Sequence, residues 1–88
     1  MDLKIKFSQH ALERMKERGI SRQLVKGVVK SPDKIEKSLI NPSRLLIKKL
    51  YFNEKLKKDH LLLIILEIKG NLINIITIID TSKISKYF

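Results

Sequence analysis

The fold is decided by residues 61–79, which read LLLIILEIKGNLINIITII. Two apolar runs, residues 61–68 and 72–79, flank Lys69-Gly70-Asn71, a sequence typical of a tight turn between antiparallel strands. The first run does not alternate apolar and polar side chains, which indicates a strand covered on both faces. Residues 61–79 therefore predict a β-hairpin whose first strand is fully buried.

Working outward, the preceding segment predicts more strands of the same meander. Residues 44–52 are predicted to form a strand between the turn sequence Asn41-Pro42-Ser43 and a reversal at residues 53–55, and residues 34–39 form a weaker strand. Two short helices can cover one face of such a sheet only. The other face is expected to be shielded by sheet curvature, by the tail at residues 83–88, by a second copy of the chain or by a different partner.

The N-terminal third predicts two helices. Leu3, Ile5 and Phe7 alternate with lysines, which indicates a short extended segment. Ser8 is a suitable N-cap for a helix over residues 9–18, which ends at Gly19. Ser21 is the N-cap of a second helix with an apolar stripe, which stops before Pro32.

These elements predict one α+β domain over residues 1–88, because a chain of 88 residues can bury a single core. The expected architecture has two N-terminal helices packed on one face of a mainly antiparallel β-meander of about four strands. No apolar run approaches the ~20 residues of a membrane span, and the first residues do not resemble a signal peptide. We therefore expect a cytoplasmic protein without membrane contact.

The net charge of +10 predicts a polyanionic partner, with RNA the favoured one. The excess is concentrated before residue 61: residues 1–30 carry 8 basic and 3 acidic side chains, residues 31–60 carry 8 and 4, and the remainder carries 3 and 2. The alternative is that a lysine- and isoleucine-rich composition reflects genome bias or a thermophilic proteome. The chain has no cysteine, which excludes disulfides and thiolate metal sites.

The first helix carries a stripe of basic side chains. His10, Arg14 and Arg18 recur every four residues, so they lie on one side of the helix. Arginine forks match the oxygens of a phosphate, and an imidazole can transfer a proton, so the stripe predicts a phosphate-binding site. The alternative is an ordinary solvated face on which Glu13 and Glu17 neutralise their basic neighbours.

Residues 7–21, FSQHALERMKERGIS, resemble the opening of the family catalogued as domain of unknown function 4258, whose members look like S-x-H-A-x-x-R-M-x-x-R-G-I followed by a second helix and a meander. That family is grouped by similarity with the RelE-like toxins and the barnase–EndoU–colicin–RelE ribonuclease fold. By position in the motif, the resemblance implies that His10, Arg14 and Arg18 are site residues, and it suggests Thr77 as a further one.

The resemblance implies a single RelE-like toxin domain, a metal-independent RNA endonuclease acting on mRNA, on the ribosome or free, and held inactive by a cognate antitoxin. The remaining candidate RNA contacts are basic or aromatic residues of the predicted strands and tail: Lys4, Lys6, Arg44, Lys48, Lys83 and Tyr87. Two alternatives stand beside this reading: a non-catalytic nucleic-acid-binding or regulatory module, and a homodimeric structural protein.

Other chemistries lack their motifs. The histidines and carboxylates show no metal-ligand spacing such as H-E-x-x-H, so we predict no metal. The glycines at positions 19, 27 and 70 form no phosphate-cradling loop, so we predict no nucleotide cofactor. His60, at the start of the apolar run, is expected either to assist the reaction or to serve as a solvated strand end.

Overall fold

The computed structural model describes residues 4–88, which form five strands and three helices. In chain order these are β1 Lys4–Phe7, α1 Gln9–Arg18, α2 Arg22–Lys30, β2 Lys34–Lys37, β3 Arg44–Asn53, β4 Lys58–Lys69, β5 Leu72–Thr81 and α3 Ile84–Tyr87. Leu3, which the alternation assigned to the first extended segment, lies outside the described residues.

The strands form one mixed sheet in the order β1-β5-β4-β3-β2. The pairs β2–β3, β3–β4 and β4–β5 are antiparallel, whereas β1 pairs with β5 in parallel, with Lys4 opposite Leu72 and Phe7 opposite Ile75. The prediction of two helices preceding a four-stranded meander was therefore wrong. The helices follow β1, and the sheet gains a parallel edge, because a strand from the N-terminus pairs with one nearly 70 residues later.

Strand β4 lies at the centre of the sheet, and both of its faces are covered. Leu62 and Ile64 pack beneath α1 and α2 in the main core, whereas Leu61 and Leu63 are buried on the opposite side. Helix α3, from the tail, packs against β4. The unbroken apolar run predicted that the second face of the sheet would be shielded. Within residues 4–88, the C-terminal tail is the element found there. We call the side of the sheet opposite α1 and α2 the far face.

Both N-terminal helices begin and end where their caps predict. The Ser8 hydroxyl accepts a hydrogen bond from the Ala11 N–H at 3.0 Å, and Ser21 caps α2 in the same way through Leu24. Gly19 ends α1 in the left-handed conformation, with φ of 66°, which a residue without Cβ adopts at little cost. These local signals fix the helix that carries the basic stripe.

Ser8 also connects α1 to the sheet, which predicts an unequal cost for removing the two caps. Its hydroxyl donates to the Ile76 carbonyl at 2.7 Å, and Ser21 has no matching interaction among residues 4–88. We expect Ser8→Ala to lower the free energy of unfolding by about 2 kcal/mol and Ser21→Ala, the matched control, by about 1 kcal/mol. Urea unfolding followed by circular dichroism measures both values. Equal losses would contradict a role for Ser8 beyond capping.

Candidate nucleic-acid interface

The basic stripe on α1 is exposed along its whole length. Ala11 and Met15 hold the helix against β5 and are buried, and the predicted site residues His10, Arg14 and Arg18 are all exposed. Arg14 Nη1 lies 3.9 Å from Glu17 Oε2, a long and solvated contact that neutralises little of its charge. Within residues 4–88, His10 and Arg18 form no ion pair. The stripe is therefore open to an anion.

Thr77 lies on the far face and is not brought together with this stripe. It pairs with Ile65 of β4, whose neighbours Ile64 and Leu66 point into the core beneath the helices. A register shift opposite Ile65 and Leu66 inserts one extra residue into β5, and this bulge turns Thr77 away from α1. The structure thus separates the fourth predicted catalytic residue from the other three.

The predicted RNA contacts on strands also occupy the far face. Ile5 and Phe7 pack towards the helices, so Lys4 and Lys6, which alternate with them, project from the opposite side of β1. Arg44 reaches the far face from β3, where it pairs with Glu67. Lys83 precedes α3 and is exposed, as is Tyr87 within that helix.

Carboxylates reduce the positive charge available on this face. Lys48 is only 7% exposed, and its Nζ lies 2.9 Å from Glu36 Oε1, so its ammonium group is already paired. Arg44 Nε lies 3.2 Å from Glu67 Oε2, and this hydrogen bond holds the pKa of Glu67 below its ordinary value. Lys4 and Lys6 are therefore the better candidates for phosphate contacts.

A second polar cluster, which the sequence did not reveal, lies buried at the end of the sheet where β5 terminates. His60 Nδ1 lies 3.0 Å from both carboxylate oxygens of Asp80, and the Tyr51 hydroxyl donates to Asp80 Oδ1 at 2.6 Å. His60 is 4% exposed, and the Asp80 side chain is 5% exposed. The sequence feature that could have indicated this cluster is that Asp80 and His60 are polar residues at the ends of otherwise apolar strands.

The Tyr51–Asp80–His60 cluster is closed to substrate in this structure. His60 Nε2 is buried and has no hydrogen-bond partner among residues 4–88. A histidine oriented by a carboxylate can act as a base, but a buried nitrogen cannot reach a phosphodiester. We therefore assign this cluster to the stability of the sheet and leave the exposed imidazole of His10 as the candidate for chemistry.

The cluster predicts a measurable tyrosine ionisation. Burial, followed by the hydrogen bond to Asp80, raises the pKa of Tyr51 from 10.0 to about 12. The stabilising contribution of the neutral hydroxyl is therefore complete below pH 10 and is lost as the pH rises through about 12. In a Tyr87→Phe background Tyr51 is the remaining tyrosine, and its ultraviolet titration should have a midpoint near 12 in the folded protein.

Asp80→Asn in the same background provides the control for this titration. Removal of the carboxylate charge should move the Tyr51 midpoint down towards the ordinary value of about 10. A Tyr51 midpoint that Asp80→Asn leaves unchanged would contradict the hydrogen bond to Asp80.

Neither a metal-binding group nor a membrane-spanning helix is found among the described residues. Residues 4–88 contain no group of three or more His, Asp or Glu side chains positioned to hold a metal ion. Over the same residues, no helix is both long and apolar enough to cross a membrane.

The fold and the exposed stripe define a small α+β domain with a mixed sheet and a cationic helix. The family described as "Domain of unknown function (DUF4258)" matches residues 7–80, and the chain belongs to this family. The match begins at the end of β1 and ends at Asp80, so it includes both the stripe and the buried cluster. No curated protein and no solved structure matches the chain.

Proposed function

We propose that this protein binds RNA and cleaves it without a metal ion, as a RelE-like toxin that acts on mRNA and is controlled by an antitoxin. The exposed stripe of His10, Arg14 and Arg18 is the observation that carries the proposal. It combines a group able to transfer a proton with two guanidinium groups on one rigid helix. The net charge of +10 favours the approach of a polyanion.

The stripe has the groups that RNA cleavage by the 2′-hydroxyl requires. His10 accepts the proton of that hydroxyl while its oxygen attacks the neighbouring phosphorus. The bond from phosphorus to the 5′-oxygen breaks, and the departing oxygen takes a proton from water. Arg14 and Arg18 stabilise the negative charge that accumulates on the phosphate oxygens, because charge-assisted hydrogen bonds from guanidinium groups strengthen as that charge develops.

Cleavage of single-stranded RNA in the presence of EDTA tests this proposal. We expect the parent to cut and His10→Ala to cut about 10²–10⁴-fold more slowly, the usual contribution of a positioned proton-transfer group. Gln9→Ala is the matched control, because Gln9 is exposed on the same turn of α1. If the parent does not cut RNA, or if the His10→Ala and Gln9→Ala proteins cut at equal rates, the catalytic proposal is wrong.

A second candidate function is RNA binding without cleavage, as a regulatory module. It is favoured by the position of Lys4 and Lys6 on the far face, away from His10. RNA bound to this face alone would not meet the imidazole.

The salt dependence of RNA binding shows which surface contacts RNA, and the cleavage assay in EDTA shows whether the bound RNA is cut. The logarithm of the binding constant should fall with the logarithm of salt concentration by about 0.7 per phosphate contacted on a single strand. If binding is on α1, Arg14→Ala with Arg18→Ala should reduce this slope; if it is on the far face, Lys4→Ala with Lys6→Ala should do so. Lys55→Ala with Lys58→Ala, which removes two exposed lysines at the turn between β3 and β4, is the charge-matched control. A flat salt dependence would contradict both functions and leave the structural homodimer.

A further inference from the structure

The sheet ends at two edge strands, β1 and β2, which differ in their surroundings. Each has four residues and carries lysines, a feature that opposes unwanted pairing between sheets. Strand β1 leads directly into α1, which is anchored in the core. Strand β2 instead leads into Leu39 and Ile40, whose side chains are almost fully exposed. Of the two edges, β2 is the one that continues into uncovered apolar surface.

Two residues of β2 direct their main-chain N–H and C=O groups away from the sheet. The Ser38 N–H donates to the Arg44 carbonyl at 3.1 Å, which sets the alternation of the antiparallel ladder between β2 and β3. By this alternation Glu36 shares main-chain hydrogen bonds with β3, and the N–H and C=O groups of Ile35 and Lys37 point outward. Among residues 4–88, no further strand lies beyond β2 to receive them.

The side chains at this edge form two features that an extended chain could contact. Ile35 is 57% exposed beside Ile47 of β3, so part of the helix-side core continues to the edge of the sheet. A groove of about 320 Å³ lies next to β2, and most of its walls are formed by side chains of β2, β3 and β4. These include Glu36, Ser38, Arg44, Leu46 and Ile65.

We propose that the β2 edge binds an extended acidic segment of a partner protein, which adds a sixth strand to the sheet. Since Ile35 and Lys37 project from the same face of β2, that face of the added strand would place an apolar side chain beside Ile35 and a carboxylate beside Lys37. Further apolar side chains of the segment would cover Leu39 and Ile40. The charge decides between an acidic partner and a second copy of this chain. Two copies with a net charge of +10 each repel one another, whereas an acidic segment is attracted. This interface does not depend on whether RNA is cleaved.

Peptide binding tests the proposal. The probe is a fluorescently labelled synthetic peptide of about eight residues in which every second residue is Thr and the others are alternately Val and Glu, so that Val and Glu share one face. The control peptide has Lys in place of Glu. The Val/Glu peptide should bind, and hydrogen exchange of the Ile35 and Lys37 amides should slow. The Val/Lys peptide should not bind. If the Val/Glu peptide binds no better than the Val/Lys peptide, or if it does not protect these two amides, the proposal is wrong.

Substitutions at one position distinguish strand addition from simple charge attraction. Lys37→Pro removes the outward N–H, and Lys37→Ala removes the same charge but keeps that donor. We expect Lys37→Pro to bind the Val/Glu peptide about tenfold more weakly than Lys37→Ala. Equal affinities would overturn strand addition.

A variant of the exposed loop and a measurement of mass complete the test. The double variant Leu39→Ser with Ile40→Ser changes exposed side chains only, so it should fold. It should bind the Val/Glu peptide more weakly than the parent does, and an unchanged affinity would contradict the apolar contact. Sedimentation should show a monomer. A dimer that Lys37→Pro dissociates would instead assign this edge to a second copy.

Discussion

Asp80→Ala is expected to lower the free energy of unfolding by about 3–5 kcal/mol, the largest loss that we predict for one side chain. The Asp80 carboxylate accepts hydrogen bonds from the Tyr51 hydroxyl and from His60, and it is buried with the imidazole. Alanine would leave both partners without this acceptor, and the His60 imidazole is almost fully buried. A domain of this size commonly has a total stability of about 5–15 kcal/mol, so this loss would be a large part of it.

Urea unfolding of Asp80→Ala, Asp80→Asn and Tyr51→Phe measures this effect. Tyr51→Phe removes one hydrogen bond to the carboxylate and should cost about 1 kcal/mol. Asp80→Asn retains an acceptor oxygen, so its loss in free energy of unfolding should lie between the other two. This variant also provides a measurement if the alanine protein does not fold. An Asp80→Ala protein no less stable than Tyr51→Phe would contradict the central place of Asp80 in the cluster.

Ile64→Ala is expected to cost about 2–5 kcal/mol, because it creates a cavity where the sheet meets the helices. Ile64 is fully buried on β4, between Ile47 of β3 and Ile78 of β5. Ile79 offers a matched control on the adjacent strand: it projects from the far face and is 46% exposed. Ile79→Ala should cost less than about 1 kcal/mol, because much of its side chain remains in water after folding.

The difference between these two isoleucines also tests the division of the sheet into two faces. Thermal or urea unfolding of both variants is sufficient. If Ile79→Ala were the more damaging change, the far face would be more deeply covered than the packing of α3 indicates, and the register of β5 would need revision.

The two cationic surfaces meet where β1 joins α1. Lys6 lies at the sheet edge, Ser8 caps the helix, and His10 follows within its first turn. An RNA strand that passed around this edge would contact the far-face lysines and the stripe together. In that case the Lys4, Lys6 and the Arg14, Arg18 double variants would each lower the salt slope, which remains compatible with cleavage by His10.

The helices and the strong hairpin could be predicted from the sequence because their signals are local. Ser8 and Gly19 delimit α1 through hydrogen bonds and backbone conformations within a few residues of each end. The tight turn predicted at residues 69–71 is found, with Gly70 at a positive φ, and the apolar runs on either side form β4 and β5. The exposure of His10, Arg14 and Arg18 likewise follows from helical spacing once Ala11 and Met15 are buried.

The pairing of β1 could not be predicted in this way. A strand of four residues has little pattern of its own, and its partner β5 lies at the other end of the chain. The edge of the sheet at which β1 pairs depends on where the helices cross the sheet and on which apolar side chains they cover. For the same reason, Tyr51, His60 and Asp80 meet only after three strands have aligned in register.

The sequence by itself determined a basic helix, its caps and a buried hairpin, since each depends on neighbours along the chain. Only the tertiary structure decided which residues share a face. In β5, Ile73 and Ile75 point towards the helices, and strict alternation would place Thr77 beside them. The bulge opposite Ile65 and Leu66 reverses the alternation, so Ile78 enters the core and Thr77 turns to the far face. A one-residue shift in pairing thus separated Thr77 from His10, and pairing between strands is a property of the folded sheet.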